Sequence, residues 1–370
     1  VSEVPAFSAV DHAHMAQALR LAARGAYTTR PNPQVGCVIA SGAESLGEGW
    51  HQRAGEPHAE VFALRAAGER ARGATAYVTL EPCAHTGRTP PCADALIAAG
   101  VARVVVAQRD PFAAVDGRGI ERLRSAGITV EVGLMEAAAR EQIRGFRSRV
   151  ERGRPWLRVK LAMSLDGRTA LASGESKWIS SAASRADVQR WRARSDAILT
   201  GAGTLRSDDP ALTARVDQPL VPPLRVVLAG ASPLPPQSRM FHDGLAGVLV
   251  AHPEPAPPNL DAAIERLPLP AADGVVELGA LLSALAARGI GELQVEAGAV
   301  LCGALLRGGW VDELLLYQAP LLLGDRGRPL FADLSLDRMQ QRRELSLIDS
   351  RSIGTDQRLL LRPLPSSPST

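Results

Sequence analysis

P-H-A-E at Pro57–Glu60 and, after a predicted strand, T-L-E-P-C-A-H-T-G-R-T-P-P-C at Thr79–Cys92 bring together one His, two Cys and one Glu. The set fits a catalytic zinc site. Three protein ligands, His58, Cys83 and Cys92, leave a fourth tetrahedral position for water, whose pKa the metal lowers toward neutrality. Glu60 stands two residues beyond His58, close enough to move protons without binding the ion. His85 is an alternative fourth ligand, and a four-ligand site would be a closed structural knot.

Working outward, G-A-T-A-Y-V-T-L-E-P reads as a strand that ends at Cys83, and P-P-C-A-D-A-L-I-A-A-G as a helix that starts at Cys92. Pro57 suits the first turn of another helix, so His58 and Glu60 lie on its opening turn. Helix starts and a metal both favour thiolate over thiol. Upstream, Asp11 is expected to cap a helix to about Arg24, with Met15, Ala18, Leu19 and Ala22 on one face. In R-P-N-P-Q-V-G-C, two prolines stiffen the loop around Asn32, and Cys37 reads as a small buried residue. His51 follows, either at the site or on a surface loop. V-A-R-V-V-V-A-Q and G-I-E-R-L-R-S-A-G-I-T-V-E-V continue the alternation of strands and helices, which predicts an α/β sheet covered on both faces.

At 370 residues, two domains are expected. The polar, Arg-rich run ending R-G-R-P-W places the boundary near Gly153, giving domains 1–152 and 153–370. A net charge of +3 and 4% aromatic residues speak against a nucleic-acid surface. Four scattered Cys do not form a disulfide framework, and a thiolate site suits a reducing compartment. The start has no basic region followed by an apolar one, and no apolar run approaches a membrane span. A cytoplasmic protein with no membrane or nucleic-acid partner is expected, as a homo-oligomer, a dimer. The tail after Pro363 is expected to be disordered, and P-E-P-A-P-P-N an exposed connection.

H-x-E followed by P-C-x-x-C is the signature of zinc nucleobase deaminases. Here eight residues separate the two Cys, where the common form has two. In this the stretch resembles the deaminase half of the bifunctional riboflavin-biosynthesis deaminase/reductases, which carry the longer insert. The resemblance implies a cytidine-deaminase-like αβα sandwich in which Asn32 binds the pyrimidine and His51 lines the pocket. Beyond Gly153, K-L-A-M-S-L-D-G-R with S-G-E-S-K-W-I resembles the reductase half, whose α/β fold is similar to dihydrofolate reductase. That resemblance implies NADPH contacts at Ala162, Trp178, Thr204, Asp208 and the turn formed by Gly298, Ala299, Val300, Leu301, Cys302, Gly303 and Ala304. It implies substrate contacts at Ser176, Arg192, Leu212, Arg215 and Glu296; Arg192 and Arg215 suit a phosphate bidentately. Ala229-Gly230 stand where the family usually has Asp-Ser.

No G-x-G-x-x-G opens a βαβ unit, so a Rossmann site is not expected. S-D-A-I-L-T-G-A-G-T-L-R reads as a strand running into a Gly-rich turn. Lys160 and Lys177 are the only lysines; Lys160, in a predicted strand, is either a catalytic amine or an edge-strand residue. The function expected is hydrolytic deamination of a diaminopyrimidinone carrying phosphoribosylamine, using zinc, and then NADPH-dependent reduction of its ribosyl group to ribityl. A zinc deaminase acting on nucleic acid or a free nucleoside, with an appended binding domain, would call for the basic, aromatic-rich surface that the composition lacks. A non-catalytic zinc scaffold would make Glu60 dispensable.

Overall fold

The computed structural model describes residues 7–364 apart from 85–90, 114, 231 and 258–259. His85 and the tail from residue 365 lie outside the described residues. The chain divides into two compact units, Val1–Gly153 and Arg154–Thr370.

The first unit runs α1 (Ala9–Ala23), β1 (Gly36–Ser41), β2 (Glu44–Trp50), α2 (Ala59–Ala67), β3 (Thr75–Val78), α3 (Cys92–Ala99), β4 (Arg103–Val106), α4 (Arg118–Ser125), β5 (Thr129–Val132), α5 (Glu136–Gln142) and α6 (Arg144–Arg152). Its sheet has the order β2-β1-β3-β4-β5. β1 is antiparallel to β2 and β3, while β3, β4 and β5 are parallel. Side chains alternate across a strand, and both faces here are apolar. Cys37, Ile39, Ala76, Val78, Val104 and Val106 pack against α2, α3 and α4. Val38, Ala40, Tyr77 and Val105 pack against Met15, Ala18 and Leu21 of α1. The result is the three-layer sandwich expected.

Ser8, not Asp11, caps α1. The Ser8 hydroxyl accepts from the Asp11 N–H, and the Asp11 carboxylate accepts from the Ser8 N–H. This reciprocal pair is a capping box, which the spacing of Ser8 and Asp11 already carried. Asp11 is occupied further by Tyr77 Oη at 2.8 Å and Arg103 Nη1 at 2.6 Å.

α2 lies unusually close to β2. A Cβ on Gly49 would fall 2.2 Å from the Ala59 carbonyl and 2.6 Å from the Ala63 N–H, and one on Gly47 would meet Ala63 and Ala67 in the same way. Those glycines let the opening turn of α2 settle onto the sheet.

The second unit comprises β6 (Trp156–Met163), β7 (Arg168–Ala170), α7 (Ala182–Arg194), β8 (Ala197–Gly201), α8 (Ala202–Asp208), β9 (Leu224–Leu228), β10 (Val248–His252) and β11 (Glu265–Pro268). It continues with β12 (Ala271–Ala272), β13 (Val275–Val276), α9 (Leu278–Ala287), β14 (Glu292–Val295), α10 (Ala299–Arg307), β15 (Glu313–Gln318), β16 (Arg328–Pro329), β17 (Leu345–Ile353) and β18 (Asp356–Pro363). Nine strands form the main sheet, in the order β11-β10-β9-β8-β14-β6-β15-β18-β17. All neighbours are parallel except at β18, which is antiparallel to both β15 and β17.

The two faces of its centre differ in chemistry. Leu157, Val159, Leu293, Val295, Leu314 and Leu316 meet the apolar sides of α9 and α10. The alternate residues form an ionic layer. Arg158, fully buried, binds Glu313 at 2.6 Å and Glu292 at 3.0 Å. Arg358 and Tyr317 both donate to Asp187 of α7. The Trp191 ring lies against the guanidinium groups of Arg158, Arg194 and Arg358.

Three expectations need correcting. The chain after β8 is the helix α8, not a turn: Gly201 serves as its cap, and the helix buries its own Ala202 and Leu205. Lys160 sits on β6, flanked by β14 and β15, so it is not an edge residue. In the proline-rich segment Pro253 and Pro257 are buried while Glu254 is exposed.

Gly49→Ala should destabilise the first unit by about 1–3 kcal/mol, the usual range for overpacking. Urea unfolding followed on that unit checks it; an unchanged midpoint would mean that α2 can lift from the sheet at no cost.

Candidate active sites

His58 is the N-cap of α2, and Cys92 is the first residue of α3. Cys83 lies in the extended segment beyond β3. Their ligating atoms all fall within 4.8 Å of one another. His58 Nδ1 is 3.2 Å from Cys92 Sγ and 3.6 Å from Cys83 Sγ. A tetrahedral zinc with ordinary Zn–N and Zn–S bonds separates such atoms by about 3.6 Å, so the cluster has the size of the ion. The Cys92 backbone N–H donates to Cys83 Sγ at 3.3 Å, and the Ala93 N–H donates to the Cys83 carbonyl. The start of α3 thus holds Cys83 by both its sulfur and its backbone.

Charge at the cluster is shared. Hydrogen bonding from Cys92 pulls the Cys83 thiol well below its ordinary pKa, and the same bond pushes Cys92 up. The bond with Cys83 raises His58. A second acidic group stands beside them. Glu60 is 3% exposed, and burial, with the charge of Cys83, holds its carboxyl up at about 7. Glu60 Oε2 is buried without a hydrogen-bond partner among the described residues. An unmet carboxylate oxygen against two thiols and an imidazole suits a cation and a proton to be moved.

Asn32 and His51 extend the site. Asn32 Nδ2 is 3.1 Å from His51 Nε2, and His51 Nδ1 is 3.3 Å from the Pro57 carbonyl. Nδ1 therefore donates to Pro57 while Nε2 accepts from Asn32. His51 is 3% exposed, not a surface residue, and burial pushes its pKa down. Its ring meets that of His58 edge to face at 5.3 Å between centroids. Asn32, His51 and His58 form one continuous row.

In the second unit Lys160, Arg192 and Glu296 converge. Arg192 Nε and Nη2 each bind a Glu296 oxygen at 2.7 Å, and Arg192 Nη1 donates to the Thr213 carbonyl. The fork expected to face a phosphate is thus filled by Glu296 in this structure. Arg215 is exposed and reaches Thr213 Oγ1. Burial alone would raise the Glu296 carboxyl; Arg192, Lys160 and the Gln294 amide hold it down to about 2. Burial lowers Lys160, as does Arg192, against the opposing pull of Glu296. Lys160 Nζ stands 5.8 Å from the Tyr317 ring centroid. Sequence reasoning missed Gln294, Thr213 and Tyr317. Period-two alternation back from Glu296 could have placed Gln294 on this face, whereas Tyr317 reaches it only through the pairing of β15 with β6.

The expected cofactor contacts fall into two sets. Gly298 caps α10 without a side-chain hydrogen bond, and Val300 beside it is 70% exposed. Such a start offers backbone N–H groups and the positive end of a helix dipole to a diphosphate. Trp178 is 68% exposed, under the Arg185 guanidinium, and Thr204 and Asp208 lie on α8. Cys302 and Gly303 face the other way. Cys302 is fully buried in the core, and a Cβ on Gly303 would strike the Ala332 carbonyl. Leu212, expected at the substrate, is buried in a cluster with Ile198, Ala202 and Leu205. Ser176 is half-buried, and Ala162 packs beside Tyr317.

Residues 8–108 match the family model described as the cytidine and deoxycytidylate deaminase zinc-binding region, and residues 155–359 the RibD C-terminal domain. The riboflavin biosynthesis protein RibD of Escherichia coli (strain K12) is 47% identical over 358 residues, covering 94% of this chain and 97% of that protein. Its Haemophilus influenzae counterpart is 44% identical over 369 residues, covering 96% and 98%. Among solved structures, Acinetobacter baumannii RibD has a TM-score of 0.89 at 44% identity, covering 96% of this chain and 99% of that one. The Thermotoga maritima diaminohydroxyphosphoribosylaminopyrimidine deaminase/5-amino-6-(5-phosphoribosylamino)uracil reductase has a TM-score of 0.85 at 31% identity, with coverage of 96% and 99%. With both halves matched in order and relatives aligned nearly end to end, the chain belongs to the RibD family of bifunctional riboflavin-biosynthesis deaminase/reductases.

Proposed function

We propose residue roles for two successive reactions on one small molecule. The first unit is a zinc-dependent deaminase of the diaminopyrimidinone that carries phosphoribosylamine, and the second an NADPH-dependent reductase of its product. The observation that carries the reading is the three-ligand cluster with the Glu60 carboxyl buried beside it, its Oε2 without a hydrogen-bond partner among the described residues. A closed zinc knot gives no reason for that carboxyl.

His58, Cys83 and Cys92 hold zinc, which supplies a Lewis acid and a water acidified toward neutrality. Glu60 takes the proton from the attacking water and returns it to the departing amine. Asn32 orients the ring through hydrogen bonds, with His51 fixing its amide. In the second unit no side chain supplies a hydride, and NADPH does. The backbone from Gly298 to Leu301 holds its diphosphate, with Trp178, Thr204 and Asp208 around it. Lys160 holds a proton beside the ribosyl group, and the Glu296 carboxylate opposes its loss. Arg192, Arg215 and Ser176 bind the rest of the substrate, with Arg192 exchanging or sharing Glu296 for phosphate.

We further propose a cytoplasmic homodimer. All four Cys are unpaired thiols, as a reducing compartment requires. β17 ends the large sheet and exposes Leu347 and Ile348, and an apolar edge strand of this kind is normally covered. Light scattering tests the dimer; a monomer at micromolar concentration overturns it.

Incubation with the diaminopyrimidine substrate, read by mass spectrometry, tests the pathway. An amine should be exchanged for a carbonyl oxygen without NADPH, and reduction should follow only when it is added. Purified protein should hold one zinc per chain, and Cys83→Ser should lose both metal and deamination. Glu60→Gln should keep its zinc and lose deamination by about 10²-fold or more; loss of metal as well would make Glu60 a ligand. Lys160→Met should lose reduction of supplied intermediate by a similar factor of about 10², with NADPH binding and deamination unchanged. Full reduction by that variant would remove Lys160 from the chemistry.

A further inference from the structure

Glu81 is the third residue of T-L-E-P-C, two before the ligand Cys83, and the roles above leave it unused. It is 3% exposed, and its carboxylate accepts four backbone hydrogen bonds. Oε2 accepts from the Asp110 N–H at 3.2 Å and the Gly117 N–H at 3.0 Å. Oε1 accepts from the Gly119 N–H at 3.0 Å and the Ile120 N–H at 3.3 Å. These donors are the two ends of the loop after β4: its first residues, and the uncapped start of α4. A carboxylate is the acceptor that helix N-terminus prefers. The Glu81 N–H in turn donates to the Gln108 carbonyl at 3.0 Å.

The contact is close as well as polar. A Cβ on Gly119 would lie 1.9 Å from the Pro82 carbonyl, so α4 rests directly on the residue between Glu81 and Cys83. The ligand segment is therefore gripped from two sides, by the start of α3 through Cys92 and Ala93, and by the start of α4 through Glu81 and Pro82. The loop so fixed leaves the C-terminal end of β4, beside the C-terminal end of β3 from which Cys83 projects. That edge of a parallel sheet is where ligands bind. Phe112, on the loop, is 45% exposed, and its N–H is turned onto Asp110 Oδ1.

We propose that Glu81 is a positioning residue for deamination, setting Cys83 for the metal and the Asp110–Phe112 segment as a wall of the pyrimidine pocket through one carboxylate. The proposal rests on the zinc-deaminase reading of the first unit. Partners that orient metal ligands typically govern affinity or activity by about 10–100-fold, and Glu81 ties the segment that carries Cys83 to the loop after β4.

Glu81→Gln keeps the side chain's size but replaces an oxygen that accepts two N–H groups by an amide that donates. In the full-length, zinc-loaded protein, release of zinc to a chromophoric chelator should be about tenfold faster or more. The deaminase KM should rise by a comparable factor of about ten, with reduction of supplied intermediate unchanged as the measure of intact protein. Gly119→Ala leaves Glu81 in place but pushes α4 off the Pro82 carbonyl, and should also speed zinc release. The proposal is overturned if either folded variant releases zinc at the wild-type rate, or if Glu81→Gln has wild-type deaminase KM and kcat with only its Tm lowered. Should the wild-type chain itself not deaminate, the parent reading fails, and the zinc-release comparison still decides whether Glu81 sets Cys83.

Discussion

A single backbone hydrogen bond, from the Cys92 N–H to Cys83 Sγ, states the constraint on which the first site depends. A thiolate must sit at the start of a helix, and the helix start must reach the end of a strand. Helix N-termini favour thiolate, so the fold prepares the charge the metal needs. The same geometry places His58 as the cap of α2, with Glu60 a residue into the helix, buried because α2 is pressed on β2 at Gly47 and Gly49. Burial in turn lifts the Glu60 carboxyl toward neutrality, the range in which a group can both take and return a proton. Packing, ligand geometry and acid–base chemistry are here one arrangement seen at three scales.

The second site is built differently. Apolar clusters pack on both faces of its sheet, and at the centre the face opposite α9 and α10 also carries charge. Burying charges is costly unless each is paired, and here Arg158, Glu292, Glu313, Arg358, Asp187, Arg192 and Glu296 are bonded to one another across strands and α7. The layer fixes strand register by chemistry rather than shape. At its end the layer reaches Lys160 and Glu296, where the ligand chemistry is expected.

Much of this was legible in the chain. Residue types at fixed spacing carried the His58, Cys83 and Cys92 cluster, because a metal demands particular donors, and Glu60 followed from its place two residues beyond His58. Strand and helix periodicity carried the sandwich. What was not legible depended on long-range placement. Leu212 reads as a contact but is buried, because its neighbours Ile198 and Leu205 come from β8 and α8. Arg192 reads as a phosphate fork, yet Glu296, over a hundred residues later, occupies it. Glu81 has no role legible in the chain, since its four donors lie beyond the next strand. Ser8 and Asp11 both qualify by residue type as a cap; only the direction of their bonds separates them.

The chain holds two lysines among 42 Lys and Arg residues. Where this chain needs a cation to hold two oxygens, it uses Arg: Arg154 on Asp312, Arg225 on Asp243 and Arg192 on Glu296 are all two-pronged. A planar fork matches a carboxylate, and its charge does not titrate in the working range. Lys160 is a half-buried exception to this pattern, beside Arg192 and Glu296. Burial and Arg192 push its pKa down while Glu296 pushes it up. An Arg there would extend the ionic layer by one more fixed charge.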